Sequence, residues 1–101
     1  LVLSHVTEAE WQGHVLLWAR NRHWLRLHFH DSRNQEWDTD AGFPDLVLCR
    51  PPRLILAELK KESGVLSTNQ RVWLDALRAC PGVETYVWKP SDEDAVKAVL
   101  E

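Results

Sequence analysis

Two cysteines, four glycines, five prolines and no methionine in 101 residues remove several kinds of protein at once. Cys49 lies in a strand-like run and Cys80 at a helix end. Such a pair makes no disulfide framework, and a reduced, intracellular protein is the simpler reading. So little glycine and proline excludes a fibrous or disordered chain. No apolar run reaches the length that spans a bilayer, and no secretory signal pattern opens the sequence. The first residue is Leu1 rather than Met, which leaves the natural N-terminus open. Positive charge is also scarce: 12 Lys and Arg against 15 Asp and Glu give a net charge of −3. That is the wrong sign for a protein that grips nucleic acid over its whole surface. The motifs G-x-S-x-G, G-K-[ST] and G-x-G-x-x-G are missing, so serine-hydrolase, P-loop and dinucleotide-binding chemistry have no foothold.

What is present suits one α/β domain spanning residues 1–101, with 45% apolar residues for a core and no repeat or linker. Residues 8–20 read as a helix, with Trp11, Val15 and Ala19 at helical spacing and Thr7-x-x-Glu10 as a capping box. Residues 24–30 alternate, Leu25, Leu27 and Phe29 facing one way and Arg26, His28 and His30 the other. Residues 31–41 read as a polar loop. Two strand-like segments follow, 42–50 and 53–61, with Pro51 and Pro52 able to reverse the chain between them. Ser67 caps a helix to about Ala79, whose inner face carries Trp73, Leu74 and Leu77, and Pro81 and Gly82 end it. Residues 83–88 form a fourth strand, and Ser91 opens a short last helix. The order is α-β-β-β-α-β-α, a small mixed sheet flanked by helices. Its β-α-β part favours a parallel, right-handed crossover.

Pairing the two proline-linked strands as a hairpin brings Asp45 near Glu58. Lys60 stands two residues beyond Glu58 and so on the same face. Two carboxylates and an ammonium at one end of an apolar hairpin suit a hard divalent cation such as Mg²⁺ or Mn²⁺ beside an activated water. In that reading Asp45 and Glu58 are ligands, the Leu59 backbone carbonyl can join them, and Lys60 serves the water and the developing charge. An isolated E-x-K is more often a surface ion pair. Here the triplet is carried by a buried, apolar strand, where charge without function is costly.

Other residues carry two readings each. Glu8 shares a helix face with Trp11, Gln12, Val15 and Ala19 and is a candidate third ligand. Glu10 lies roughly 200° round the helix from it and has its capping role. Both also read as an acidic first turn that suits the helix dipole. Gln70 completes a capping box with Ser67 and faces the sheet, where it can contact a phosphate or the attacking water. His28, His30 and Asp31 read as a transition-metal cluster or, more simply, as the wetter face of an outer strand, since no third histidine or cysteine stands at a matching spacing. Arg33 is a candidate phosphate contact or a solvated loop residue. Trp37, in a polar loop, is a candidate for stacking on a base or a partner, while the tryptophans otherwise read mostly as core. Arg50, Arg53, Lys60, Lys61 and Arg71 are placed in or beside the active region.

The segments TEAEWQ, HFHDSR, GFPDLVL, AELKKESGVLSTNQRVWLDAL and VETYVWKPSD, in that order, resemble the VRR-NUC (virus-type replication-repair nuclease) domain of the PD-(D/E)XK nuclease superfamily. The resemblance runs from about Thr7 to Asp92 and implies a restriction-endonuclease-like core and a metal-dependent DNA nuclease. It assigns Asp45 and Glu58 as metal ligands, Lys60 as the catalytic lysine, Glu8 as the acidic residue of the first helix and Gln70 as the motif glutamine. In length the chain is similar to stand-alone members, which implies a homodimer acting on branched DNA such as Holliday junctions in the cytoplasm of a bacterial or phage-infected cell. Arg33, Lys61 and Arg71 are the candidate DNA contacts. The alternative is a non-catalytic DNA-binding or assembly module that keeps the fold.

Overall fold

The computed structural model describes residues 2–29 and 41–101. Helix α1 spans Glu8–Asn21, and strand β1 follows at Leu25–His28. Strands β2 (Leu46–Arg50) and β3 (Arg53–Leu59) form the expected hairpin, joined by Pro51 and Pro52. Helix α2 covers Thr68–Arg78, strand β4 Glu84–Trp88 and helix α3 Glu93–Leu100. A short 3-10 turn at Pro90–Asp92 leads into α3, so the last helix begins two residues later than Ser91 suggests. The element order is the one read from the sequence.

The sheet runs β1-β2-β3-β4, with the first two pairs antiparallel and β3-β4 parallel. Paired residues share a face, which sorts every strand side chain. Leu46, Leu48, Ile55, Ala57 and Leu59 point to one side and pack with Trp11, Val15 and Ala19 of α1 and Val96 and Leu100 of α3. This is the main core. Its two most buried tryptophans lose no hydrogen bond, because Trp11 Nε1 donates to Trp88 O and Trp24 Nε1 to Leu100 O, each at 2.9 Å. Glu58 lies on the opposite side, the side on which α2 packs beside β4.

Strand β1 departs from expectation. Its leucines are exposed, Leu25 at 70% and Leu27 at 54%, as is Arg26, while His28 is half-buried. The register explains it. Arg26 and His28 pair with Leu48 and Leu46 and therefore face the α1 side. Leu25 and Leu27 pair with Cys49 and Val47 on the side of α2, at the sheet edge farthest from β4.

A further correction concerns the hairpin's arginines. Arg50 and Arg53 pair with each other at the closed end, away from Asp45 and Glu58 at the open end. Both lie over the Trp24 ring, at 4.4 and 5.1 Å. Arg50 donates to Arg22 O, Leu100 O and Glu101 O, and Arg53 to Val99 O and both Glu84 oxygens. They fasten the C-terminal helix to the sheet.

Candidate metal centre and active site

The β2-β3 register, continued one step past Leu46 and Ala57, sets Asp45 opposite Glu58. Pro44 is fully buried just before it, a place where a residue without an N–H leaves no donor unsatisfied. Asp45 is held from both sides: its Oδ2 accepts from Leu59 N at 3.0 Å, and its carbonyl accepts from Phe29 N at 2.9 Å. The preceding Gly42 has φ +105°, and a Cβ there would stand 2.7–2.8 Å from the Asn69 and Gln70 backbone and Asn69 Cβ. Only glycine lets the chain entering β2 press against the start of α2. Phe43 then packs edge-on between Phe29 and Trp73, at 5.7 and 4.9 Å between ring centres.

Helix α2 begins with the capping box read from the sequence: Ser67 Oγ accepts from Gln70 N, and Gln70 Oε1 accepts from Ser67 N. The Gln70 amide has a second end. Its Nε2 donates to Glu58 Oε1 at 3.0 Å, so one side chain caps the helix and grips the carboxyl beneath it.

Glu58 is 1% exposed, the one charged residue type in the buried set of the described structure. Its Oε2 has no hydrogen-bond partner. Burial first, then the adjacent Asp45, pushes its pKa from 4.5 up to about 9, with Lys60 pulling the other way. The third acid is Glu8, the first residue of α1. Ligand oxygens of Glu8, Asp45 and Glu58 all lie within 4.8 Å of one another. Glu10 stands apart and exposed, bonded to Thr7 N, and its hydrogen bonds with Thr7 hold its carboxyl below the usual range. The two acids of the first turn thus divide as the helix geometry requires.

This set fits a hard divalent cation. All three donors are carboxylates, with no thiolate or imidazole among them, and one buried oxygen lacks a partner. A cation there would replace the proton that neutral Glu58 otherwise keeps. Among the described residues no other group of three His, Cys, Asp or Glu converges in this way. His30 and Asp31 of the histidine cluster, and with them Ser32, Arg33 and Trp37, lie outside the described residues.

Lys60 leaves the end of β3, its N–H donating to Trp88 O at 3.0 Å. Its stem runs past Gly64, where a Cβ would come within 3.1 Å of Lys60 Cβ and 3.2 Å of Cδ. The side chain stands between two hollows of about 280 and 290 Å³, one toward Arg71 and Lys89, the other toward Gly42 and Gln70.

Residues 7–91 match the VRR-NUC domain. The chain belongs to that family. No curated protein and no solved structure matches it. A VRR-NUC domain is a nuclease domain, which points to a hydrolase acting on DNA and to use of a divalent metal. No helix among the described residues is long and apolar enough to cross a membrane.

Lys89, Gly42 and Gly64 do not stand out in the sequence as site residues. The parallel register pairs Glu58 with Val87 and Leu59 with Trp88, so Lys89 is the residue that follows beside Lys60 on the Glu58 face. A Val-x-Lys ending on β4, set against Glu-x-Lys on β3, is the signal that could have marked it.

Proposed function

We propose that this VRR-NUC protein is a Mg²⁺- or Mn²⁺-dependent endodeoxyribonuclease that acts as a homodimer on branched DNA such as four-way junctions. The convergence of Glu8, Asp45 and buried Glu58, with Glu58 Oε2 unpartnered, carries the reading. Asp45 and Glu58 would hold the ion, with Glu8 and the Leu59 carbonyl completing the protein's share. A bound divalent ion supplies Lewis acidity, lowering the pKa of a water and offsetting phosphate charge. Glu58 would give up its proton to serve as a ligand, and Gln70 keeps its carboxyl aimed through Nε2–H. Lys60 orients the attacking water and stabilises negative charge as it develops on the phosphate oxygens. Two-fold related cuts in a four-way junction call for two sites related by a two-fold axis. The exposed Leu25 and Leu27 on the edge strand offer apolar surface for such pairing.

The test is cleavage of a labelled four-way junction, a flap and a plain duplex with Mg²⁺, Mn²⁺ or EDTA. Paired nicks in the junction, lost with EDTA and reduced roughly 10²–10³-fold or more by Lys60→Ala, are expected. Undiminished cutting by Lys60→Ala rejects the role given to that lysine. DNA binding without cutting of any substrate rejects the nuclease in favour of a binding module.

A further inference from the structure

An acidic protein that handles DNA must concentrate its positive charge, and this one does so by committing its other cations elsewhere. Arg50 and Arg53 bind the C-terminal helix, Arg22 and Arg26 donate to the Trp18 and Trp24 carbonyls, Arg78 meets Asp75, and Lys97 meets Glu93. Among the described residues Arg20, Lys60, Lys61, Arg71 and Lys89 have side chains with no hydrogen bond or ion pair. Lys60, Arg71 and Lys89 line one hollow of about 280 Å³, together with Val87, the residue that pairs with Glu58. The ladder carries Lys89 beside Lys60, and Arg71 comes from the first turn of α2, next to Gln70. Val65, Leu66 and Val87 supply an apolar wall, Val65 with 74% of its surface exposed. Glu62 accepts from Ser91 N at 3.0 Å, and its hydrogen bonds with Ser91 first, then the charge of Lys89, hold its carboxyl below the usual range.

Three cations around one concavity, none of them held by a hydrogen bond or a close ion pair, focus a positive potential into it. The chemistry that relieves them is an anion with an apolar flank, the phosphate and sugar of a nucleic-acid strand. We propose that Arg71 and Lys89 form a phosphodiester subsite that seats the backbone of the cleaved strand beside the phosphate facing Lys60. This rests on the nuclease reading of the neighbouring carboxylates, to which it adds the direction in which the strand leaves the site.

The experiment is fluorescence anisotropy of a labelled duplex and a labelled four-way junction in EDTA, from about 50 to 200 mM salt. The proteins are wild type, Arg71→Ala/Lys89→Ala, Arg71→Lys/Lys89→Arg and Arg20→Ala. The double alanine variant is expected to bind at least tenfold more weakly at low salt. Its slope of log affinity against log salt should shrink by about 2, one for each phosphate that is no longer neutralised. The charge-preserving variant and Arg20→Ala should stay near wild type, and all four should melt together. An unchanged affinity and slope for the double alanine variant overturns the subsite. So does an equal loss from Arg20→Ala, or a wild-type protein that binds neither DNA. Cleavage assays on the same proteins separate the two readings. Cutting by wild type, with binding by the double alanine variant unchanged, leaves the nuclease standing without this subsite. Subsite-dependent binding with no cutting in either metal leaves the subsite standing without the nuclease.

Discussion

Replacing Glu58 by glutamine should make the metal-free protein more stable above neutral pH and remove most of the pH dependence of its folding there. Without a cation, the folded protein holds a proton on Glu58 up to a pH of about 9, whereas the unfolded chain releases it near 4.5. Across that window the native state binds up to one proton more than the unfolded state. Stability therefore falls as pH rises, by at most about 1.4 kcal/mol per pH unit. From pH 5.5 to 8.5 the ceiling is about 4 kcal/mol, and water entering the site as the carboxylate ionises trims it. Below 4.5 the contribution is flat, because both states are protonated. The acids that shift the other way, Glu10, Glu62 and Glu84, have lowered values, so their effect is confined to the acidic end.

The amide of Glu58→Gln copies the neutral carboxyl in size. It keeps an oxygen to accept from Gln70 Nε2 and has no charge to bury. Urea unfolding at pH 5.5, 7 and 8.5 in EDTA reads the difference. The two proteins should nearly coincide at pH 5.5 and separate by about 2–4 kcal/mol at pH 8.5, with the variant the more stable. Saturating Mg²⁺ should stabilise the wild type and leave the variant close to its EDTA value, since binding to the native state alone shifts unfolding. Parallel pH slopes, or a variant weaker than wild type at pH 8.5, would refute the burial argument for Glu58 and the metal reading built on it.

Other perturbations probe the supports of the site. Gly42→Ala puts a Cβ against the α2 backbone at a φ that disfavours side chains, and should cost about 1–3 kcal/mol of stability while displacing Gln70 and lowering cleavage. Its urea midpoint and junction-cutting rate report both. Gly64→Ala sets a Cβ 3.1 Å from both Lys60 Cβ and the Lys61 carbonyl oxygen and 3.2 Å from Lys60 Cδ, so it pushes on the Lys60 stem and on the backbone together. It should lower the melting temperature slightly and slow cutting several-fold, short of the roughly hundredfold that about 1 Å of displacement brings. Arg53→Ala breaks the paired bonds to Glu84 and the bond to Val99 O. It should lower stability by about 1–2 kcal/mol with kcat preserved, and a fall in kcat with stability intact would return Arg53 to the active region.

The pattern of agreement between chain and structure follows the range of the interactions involved. Thr7–Glu10 and Ser67–Gln70 span three residues each, and both capping boxes are present where the sequence places them. Glu58 and Lys60 share a face through strand alternation alone, and the Pro51–Pro52 reversal is enough to bring Asp45 to Glu58. Glu8 is separable from Glu10 by helix angle, once the inner face is known from Trp11 and Val15. The failures lie where a second element must be placed first. The alternation of β1 marks two faces but not which one meets α1, and the pairing of Arg26 and His28 with Leu48 and Leu46 reverses the intuitive choice.

Arg50 and Arg53 illustrate the same limit from the side of charge. In sequence they lie within a few residues of Asp45, Glu58 and Lys60, but the strands carry them to the far end of the hairpin, where α3 and Trp24 take them up. Lys89 is distant in sequence and arrives beside Lys60 through a parallel register that no local pattern encodes. Net charge is therefore a poor guide to the surface that matters. A chain of −3 can still gather three cations at one hollow, because structural contacts have claimed the arginines that sequence proximity would have assigned to DNA. Binding should accordingly depend steeply on a few cations and weakly on overall charge, so that neutralising surface acids such as Glu93 or Asp94 changes the salt slope far less than loss of Arg71 and Lys89.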